Sequence, residues 1–276
     1  MQKKYIIKQR DLQQDLLDYT AYSNSELSYA RKDEDVLSEV KKYIDENDNI
    51  DTQEIINRIF PLDEPHVFIS HKSEFSSHAI RLANILYDKF HIISFIDSQV
   101  WHHIDDVSEM INHKVSKIRE DGNTITYSHK STSIVASNMF AMLSSSLFEV
   151  MDCSDGFIYI DSNNEEQPEK INRGNAKSLK TQSPWLFLEI TYASKLRKKM
   201  HVRPKILAED AMVIKSTAGN ESFSERRRVS FDYSKEIIDS KEIASLSRVL
   251  RTQRNYLHPL FNLDRIYSEL DRDLFR

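Results

Sequence analysis

The residue with the clearest chemical potential in this sequence is Glu189, which lies in the otherwise apolar run WLFLEITYA. Ser183 and Pro184 predict a helix start just before it, because serine suits the N-cap and proline suits the first helical position. Trp185 and Glu189 are four residues apart and therefore share one face of that helix. Helix statistics alone favour a partly exposed glutamate at the edge of an amphipathic helix. A carboxylate placed for catalysis is the alternative.

Polar side chains also lie at the carboxyl ends of two predicted strands. Ser70 and His71 follow the apolar run HVFI, and Asp97 ends the run HIISFID. Open α/β sheets bind their ligands at the carboxyl ends of parallel strands, so these side chains are candidate ligand contacts. For Asp97, a role as an N-cap or in bracing a loop is an equally good interpretation. Trp185 would either form part of the wall of a pocket or pack beneath its helix.

The sequence lacks the motifs of several other chemistries. Its four glycines form neither the GxGxxG dinucleotide fingerprint nor a P-loop, and there is no GxSxG nucleophile elbow. His102 and His103 precede two aspartates, but adjacent histidines seldom bind one ion and no HExxH or spaced Cys/His set is present. We therefore predict that the protein has no metal site.

Composition narrows the class of protein. A net charge of −5 and a pI near 6.1 argue against binding to nucleic acid through its phosphates. The single cysteine, Cys153, allows no intramolecular disulfide, as expected in a reducing compartment. The longest uncharged stretch, residues 131–148, contains too many serines for a membrane span and predicts a buried or half-buried helix. We expect a cytoplasmic protein with no membrane partner.

The elements that must position these residues alternate between strand and helix. Residues 66–70, 91–97 and 156–161 are nearly continuously apolar and rich in β-branched and aromatic residues, as in strands covered on both faces. Residues 76–90, SSHAIRLANILYDKF, have the apolar spacing of an amphipathic helix. This alternation predicts an α/β fold with a mostly parallel central sheet and helices on both faces.

Two regions are predicted along the chain. Residues 1–62 are expected to form a helical N-terminal extension, and residues 63–276 an α/β domain. Within that domain we expect a helical insertion over about 105–151, made of helices at 105–118 and 133–151 around a loop. Weaker strand candidates cover 205–214 and 229–233. A C-terminal helix is predicted over about 234–258, stopped by Pro259.

Four blocks of this sequence together resemble the TIR (Toll/interleukin-1 receptor) domain family. VFISHKSE at 67–74 resembles the family's first strand and loop, and FIDSQVW at 95–101 its second strand and BB loop. GFIYI at 156–160 is similar to the next strand, and SPWLFLEI at 183–190 to the S-x-W-x-x-x-E helix. The blocks occur in the family's order over residues 65–235. The missing BB-loop glycine and the long insertion depart from receptor-type members and look closer to bacterial antiphage members, such as the signal-producing TIR protein of Thoeris-type systems.

The resemblance implies a flavodoxin-like TIR fold and cleavage of the bond between nicotinamide and ribose in NAD. Glu189 matches the family's catalytic glutamate. NAD would be the substrate, with no further cofactor, and the product could be hydrolysed, cyclic or conjugated ADP-ribose. Trp101, in the predicted BB loop, would either stack on a ring of NAD or anchor the loop. The residues implied to contact NAD are Ser70, His71, Asp97, Trp101, Ser183 and Trp185.

The resemblance also implies partners. TIR domains self-associate, so we expect self-association here. Residues 1–60 would control it or recruit a partner. A downstream effector protein would sense the nucleotide product in antiphage defence. Two alternatives remain open: a non-catalytic TIR scaffold that signals through homotypic assembly, and a nucleoside-processing enzyme of another α/β family.

Overall fold

The secondary structure is given by a computed structural model. It describes residues 3–29, 33–47, 50–60, 64–122, 124–162, 180–181, 183–196, 231–232, 241–251 and 258–272. The predicted strand at 205–214 and most of the one at 229–233 lie outside these residues.

The described strands, in chain order, are β1 (Lys3–Lys8), β2 (Val67–His71), β3 (Ser94–Ile96), β4 (Lys117–Asp121), β5 (Thr124–Tyr127), β6 (Gly156–Asp161), β7 (Lys180–Thr181), β8 (Phe231–Asp232) and β9 (Lys241–Ile243). The described helices are α1 (Gln9–Asp15), α2 (Asp33–Glu46), α3 (Thr52–Ile59), α4 (Ser76–Phe90), α5 (Ser98–Val115), α6 (His129–Cys153), α7 (Pro184–Lys195), α8 (Ser247–Leu250) and α9 (Pro259–Arg272).

The central sheet has the strand order β3-β2-β6-β1-β9, and every neighbouring pair in it is parallel. Strand β2 is buried along its whole length and β6 along all but its last residue, as expected for strands covered on both faces of a sheet. Buried side chains form two clusters, which contain alternate residues of the same strands. Helices α1, α4, α8 and α9 contribute to one cluster, and helices α2, α3, α5, α6 and α7 to the other. The predicted α/β class, a parallel sheet between two helical layers, is confirmed.

Strand β1 corrects the prediction for the start of the chain. Residues 1–62 were expected to be helical throughout, but Lys3–Lys8 form a strand that pairs with both β6 and β9. Ile7 is fully buried in the sheet. The sequence KKYIIK has only three apolar residues between lysines, so its strand character comes from its two neighbours in the sheet and not from local pattern. Helices α2 and α3 do occur where helix was predicted.

The insertion contains the two predicted helices and one unpredicted hairpin. Helix α5 begins earlier than expected, at Ser98, directly after β3, so the predicted loop around Trp101 is helical. Strands β4 and β5 pair as an antiparallel hairpin where a plain loop was expected. Gly122 supplies its positive φ of 57° at the turn.

Helix α6 is long and apolar enough, by length and composition, to cross a membrane. Its inward-facing residues, including Met139, Leu143 and Leu147, are buried in the cluster shared with α7. Residues such as Ile134 on its other side are exposed. The predicted half-buried helix is therefore the one observed.

The predicted C-terminal helix over 234–258 is wrong where the structure describes it. Lys241–Ile243 form the edge strand β9, and only the short helix α8 follows within that range. Pro259 begins helix α9 instead of ending a helix, because proline suits the first helical position as well as it suits a position beyond the end.

Candidate active site at the carboxyl edge of the sheet

Helix α7 carries Glu189 to the carboxyl end of β2. The Ser183 side chain accepts a hydrogen bond from the backbone N–H of Leu186 at 3.1 Å, which caps the helix, and Pro184 occupies the first position. Leu186 and Ile190 pack into the apolar cluster on this face of the sheet. Glu189 lies between them in sequence, so the packing that holds α7 on the sheet also buries the carboxyl group.

Glu189 and Ser70 are in direct contact. Ser70 Oγ donates a hydrogen bond to Glu189 Oε2 at 2.5 Å, and both side chains are fully buried. The contact follows from strand geometry, because Ser70 is two residues after Phe68 and therefore faces the same side of the sheet as α7. The interpretation of Glu189 as a partly exposed helix flank is excluded.

Asp97 and His71 complete the polar cluster. Asp97 lies two residues beyond Phe95 and is mostly buried, and its carboxyl group is a negative charge and a hydrogen-bond partner next to Glu189. His71 Nδ1 is 3.5 Å from Asp97 Oδ1, and the His71 side chain is 1% exposed. The structure thus brings together four sequence-predicted site residues: Ser70, His71, Asp97 and Glu189.

The two carboxyl groups cannot both be ionised easily in this environment. Burial, and then the nearby charge of Asp97, raise the pKa of Glu189 well above its usual range, whereas the Ser70 hydrogen bond opposes the rise. Burial lowers the pKa of the His71 imidazole, against an opposing effect of Asp97. Both shifts favour the uncharged forms of these groups, a protonated Glu189 and a neutral His71.

Some of the buried polar atoms in this cluster lack hydrogen-bond partners among the described residues. They include Glu189 Oε1 and His71 Nε2. Buried polar atoms are almost always paired in folded proteins, and exceptions mark positions where water or a ligand binds. Oε1 is an atom of Glu189, the candidate catalytic residue. A water or ligand atom bound to Oε1 would therefore contact the catalytic carboxyl group directly.

The remaining predicted site residues are Trp185, Ser183 and Trp101. Trp185 is partly buried and its ring packs at a tilt against Phe140 of α6, with centroids 5.0 Å apart, which favours packing over a pocket wall. Ser183 serves as the helix cap. Trp101 lies in α5, and its side chain is outside the described part of the structure.

One neighbour of the cluster was not predicted. Tyr159 of β6 is the register partner of Ser70 and is 1% exposed on the same face of the sheet. The signal was present, because GFIYI places a tyrosine next to the last residue of a predicted strand. Over the residues that the structure describes, no group of three His, Cys, Asp or Glu side chains is arranged to hold a metal ion.

Comparisons with protein-family models, with characterised proteins and with solved structures find no match to this chain.

Proposed function

We propose that this protein is a TIR-type NAD-processing enzyme that cleaves the bond between nicotinamide and ribose, with Glu189 as the catalytic carboxylate. The single observation that carries the proposal is the burial of Glu189 from the SPWLFLE helix against Ser70, at the carboxyl edge of a parallel sheet. Ligands of open α/β sheets bind at this edge. Buried titratable groups with strongly shifted pKa values concentrate at functional sites.

One carboxylate is chemically sufficient for this reaction. Nicotinamide in NAD already carries a positive charge, so it leaves as a neutral base without receiving a proton. A carboxylate near the ribose stabilises the positive charge that develops on the sugar as the bond breaks. Glycosidases acting on neutral leaving groups generally need a second carboxyl group as an acid.

The raised pKa of Glu189 fits a cationic substrate. In the closed cluster the carboxyl group holds its proton because burial and Asp97 disfavour a second negative charge. A cationic nicotinamide ring nearby would favour the ionised form and lower this pKa. Binding of NAD would thus generate the carboxylate that its cleavage requires, whereas the empty site favours the protonated form of Glu189.

The burial of Glu189 also predicts that access is regulated. A side chain with no exposed surface cannot contact NAD until a covering segment moves. Self-association or an infection-derived trigger would supply that movement. The product, an ADP-ribose-type molecule that is hydrolysed, cyclic or conjugated, would then act on a downstream effector protein in antiphage defence.

The test is NAD consumption by the purified chain at high protein concentration, with and without lysate from infected cells, and with the product identified by mass spectrometry. Wild type and Glu189→Gln are compared, with Glu149→Gln as a matched control on the exposed side of α6. We expect wild type and Glu149→Gln to consume NAD and Glu189→Gln to lose at least about 100-fold in rate. Equal rates in all three proteins would refute Glu189 as the catalytic residue.

A scaffold function is the second candidate, and the surface of α6 favours it. Ile134, Phe140 and Phe148 are each more than 40% exposed on that helix. Apolar side chains at a surface are common in protein interfaces. Intact NAD in every protein and condition, together with concentration-dependent assembly, would support this reading instead.

A further inference from the structure

The cluster around Glu189 contains a second carboxyl group, which cleavage of NAD does not require. The Asp97 carboxyl group lies beside that of Glu189, and both residues are buried. Two carboxyl groups in contact away from water retain one proton between them, because two adjacent buried negative charges repel strongly. A site for a cationic leaving group alone would need only the carboxylate.

A retained proton is what a neutral leaving group needs. When a purine or pyrimidine leaves a nucleoside, the electron pair of the broken bond would create an anionic base, so an acid must protonate the base as it departs. Glu189 is the fully buried member of the pair, and its burial favours the protonated form. Its Oε1 has no hydrogen-bond partner among the described residues, so this atom would be available to a ligand once the covering segment moves.

From this arrangement we infer that the same site also hydrolyses neutral N-nucleosides, with Glu189 as the general acid and Asp97 as the positioning residue that keeps the proton on it. This inference rests on the proposed function only in using the same site. It adds a substrate class in which the leaving base is uncharged.

The reaction balances with water as the second substrate. The bond between C1′ and the base nitrogen breaks, its electron pair goes to the base, and the Glu189 proton moves to the base. Water then bonds to C1′, and one of its protons returns to the Glu189 carboxylate. One nucleoside and one water give one free base and one free pentose, and the site ends as it began.

The two substrate classes should respond to pH in opposite directions. Nucleoside cleavage uses protonated Glu189, so its rate falls as pH rises through the pKa of this group. NAD cleavage uses the ionised form, so its rate rises over the same interval. The other polar or titratable side chains described at this cluster are Ser70, His71 and Tyr159. His71 is already neutral in the closed site, because its burial lowers its pKa.

The experiment measures base release from inosine and nicotinamide release from NAD by chromatography, across pH, with the full chain and with infected-cell lysate present. For wild type we expect two profiles that cross, with inosine cleavage falling and NAD cleavage rising as pH increases. The NAD midpoint should lie at the lower pH, because the bound nicotinamide cation lowers the pKa of Glu189. Glu189→Gln should lower inosine cleavage by about 100-fold or more. Asp97→Asn removes the neighbouring charge and should move both midpoints to lower pH. Glu149→Gln should change neither profile.

The outcomes separate the two proposals. Cleavage of NAD without cleavage of inosine would overturn the nucleoside inference and leave the NAD proposal in place. Cleavage of inosine alone would support the inference and refute the NAD proposal. If both rates changed with pH in the same direction, the two reactions would not use opposite protonation states of Glu189, and the inference would be wrong. Cleavage of neither substrate in any condition would overturn both. The wild-type profiles decide these points even where a variant fails to fold.

Discussion

At the scale of single residues, the unusual feature is a carboxyl group placed where an apolar side chain would stabilise the fold better. Glu189 has no exposed surface and lies between Leu186 and Ile190 in sequence, both of which are packed in the core. Removing a carboxylate from water without full compensation destabilises a protein, and the group responds by taking up a proton. Such positions are retained for what the group does, at the expense of stability.

The shifted pKa predicts how stability depends on pH. Above about pH 4.5 the unfolded chain releases the Glu189 proton, whereas the folded chain retains it, so the folded state binds more protons. The free energy of unfolding contributed by this group therefore falls as pH rises from 4.5 towards the raised pKa. Glu189→Gln carries no ionisable group, and its amide can donate a hydrogen bond to Asp97. We expect it to melt about 2–4 °C or more above wild type at pH 8.

This difference is measured by thermal unfolding followed by circular dichroism between pH 5 and pH 8. The gap between the two proteins should narrow towards pH 5. Glu149→Gln, which changes an exposed glutamate, should follow the wild-type curve. A Glu189→Gln variant that melts below wild type at pH 8 would contradict a destabilising buried carboxyl group.

Local sequence predicted the helix that carries the site but not the burial of the site. Ser183 and Pro184 begin α7 as their side-chain chemistry requires. The partner that defines Glu189, however, is Ser70, which is 119 residues earlier in the chain. That contact forms only because the fold places α7 beside β2. From the sequence alone, Glu189 was therefore equally compatible with an exposed position.

At the scale of secondary-structure elements, β1 is the strand on which the sheet depends. It separates β6 from β9, so its backbone supplies hydrogen bonds on both sides. Tyr5 and Ile7 are buried in one apolar cluster, and Ile6 is buried in the other. An N-terminal segment with this position is part of the α/β sheet.

Truncating one side chain of β1 should therefore be costly. Ile7→Ala removes a fully buried side chain and leaves a cavity, which typically lowers the free energy of unfolding by about 2–5 kcal/mol. Ile118→Ala is the matched control, because that isoleucine is 67% exposed in the hairpin and should change stability by less than about 0.5 kcal/mol. Chemical denaturation of both variants measures the difference. Equal stability of the two would mean that β1 is not part of the folded sheet.

The success of prediction differed between elements for physical reasons. Residues 76–90 form α4 with the predicted bounds, because the apolar stripe of the helix matches the sheet surface it covers. The β4–β5 hairpin was missed because its strands are mostly exposed and carry charges, which gives no apolar alternation to detect. Lys241–Ile243 were assigned to a helix because lysine and glutamate favour helices unless a neighbouring strand, here β1, pairs with them.

At the scale of the whole molecule, the exposed side of α6 adjoins the helix that holds the site. Phe140 packs against Trp185, and Phe148 forms a T-shaped pair with Tyr192, with ring centroids 5.2 Å apart. Trp185 and Tyr192 both belong to α7. A partner that covered these phenylalanines would therefore contact the helix that carries Glu189.

Self-association through this surface remains a prediction and can be tested directly. Ile134→Glu places a charge on α6 at a side chain that is 51% exposed, so the fold should tolerate it while an apolar interface should not. Sedimentation velocity over a range of concentrations should show assembly of wild type and a tenfold or greater weakening in the variant. Leu17→Glu, at a residue 56% exposed elsewhere on the chain, is the control. A wild type that remains monomeric at all concentrations would refute the prediction.

The position of β1 in the sheet has a consequence for how the chain is made. Its partners are β6, which begins at Gly156, and β9, which begins at Lys241, and Lys3 also pairs with Asp271 near the end of α9. During translation, about 150 further residues must be synthesised before β1 can pair with β6. More than 230 must be synthesised before it can pair with β9. At typical synthesis rates of about 5–20 residues per second, that interval lasts many seconds. A nascent chain with an exposed strand for so long is a natural client for chaperones that bind at the ribosome.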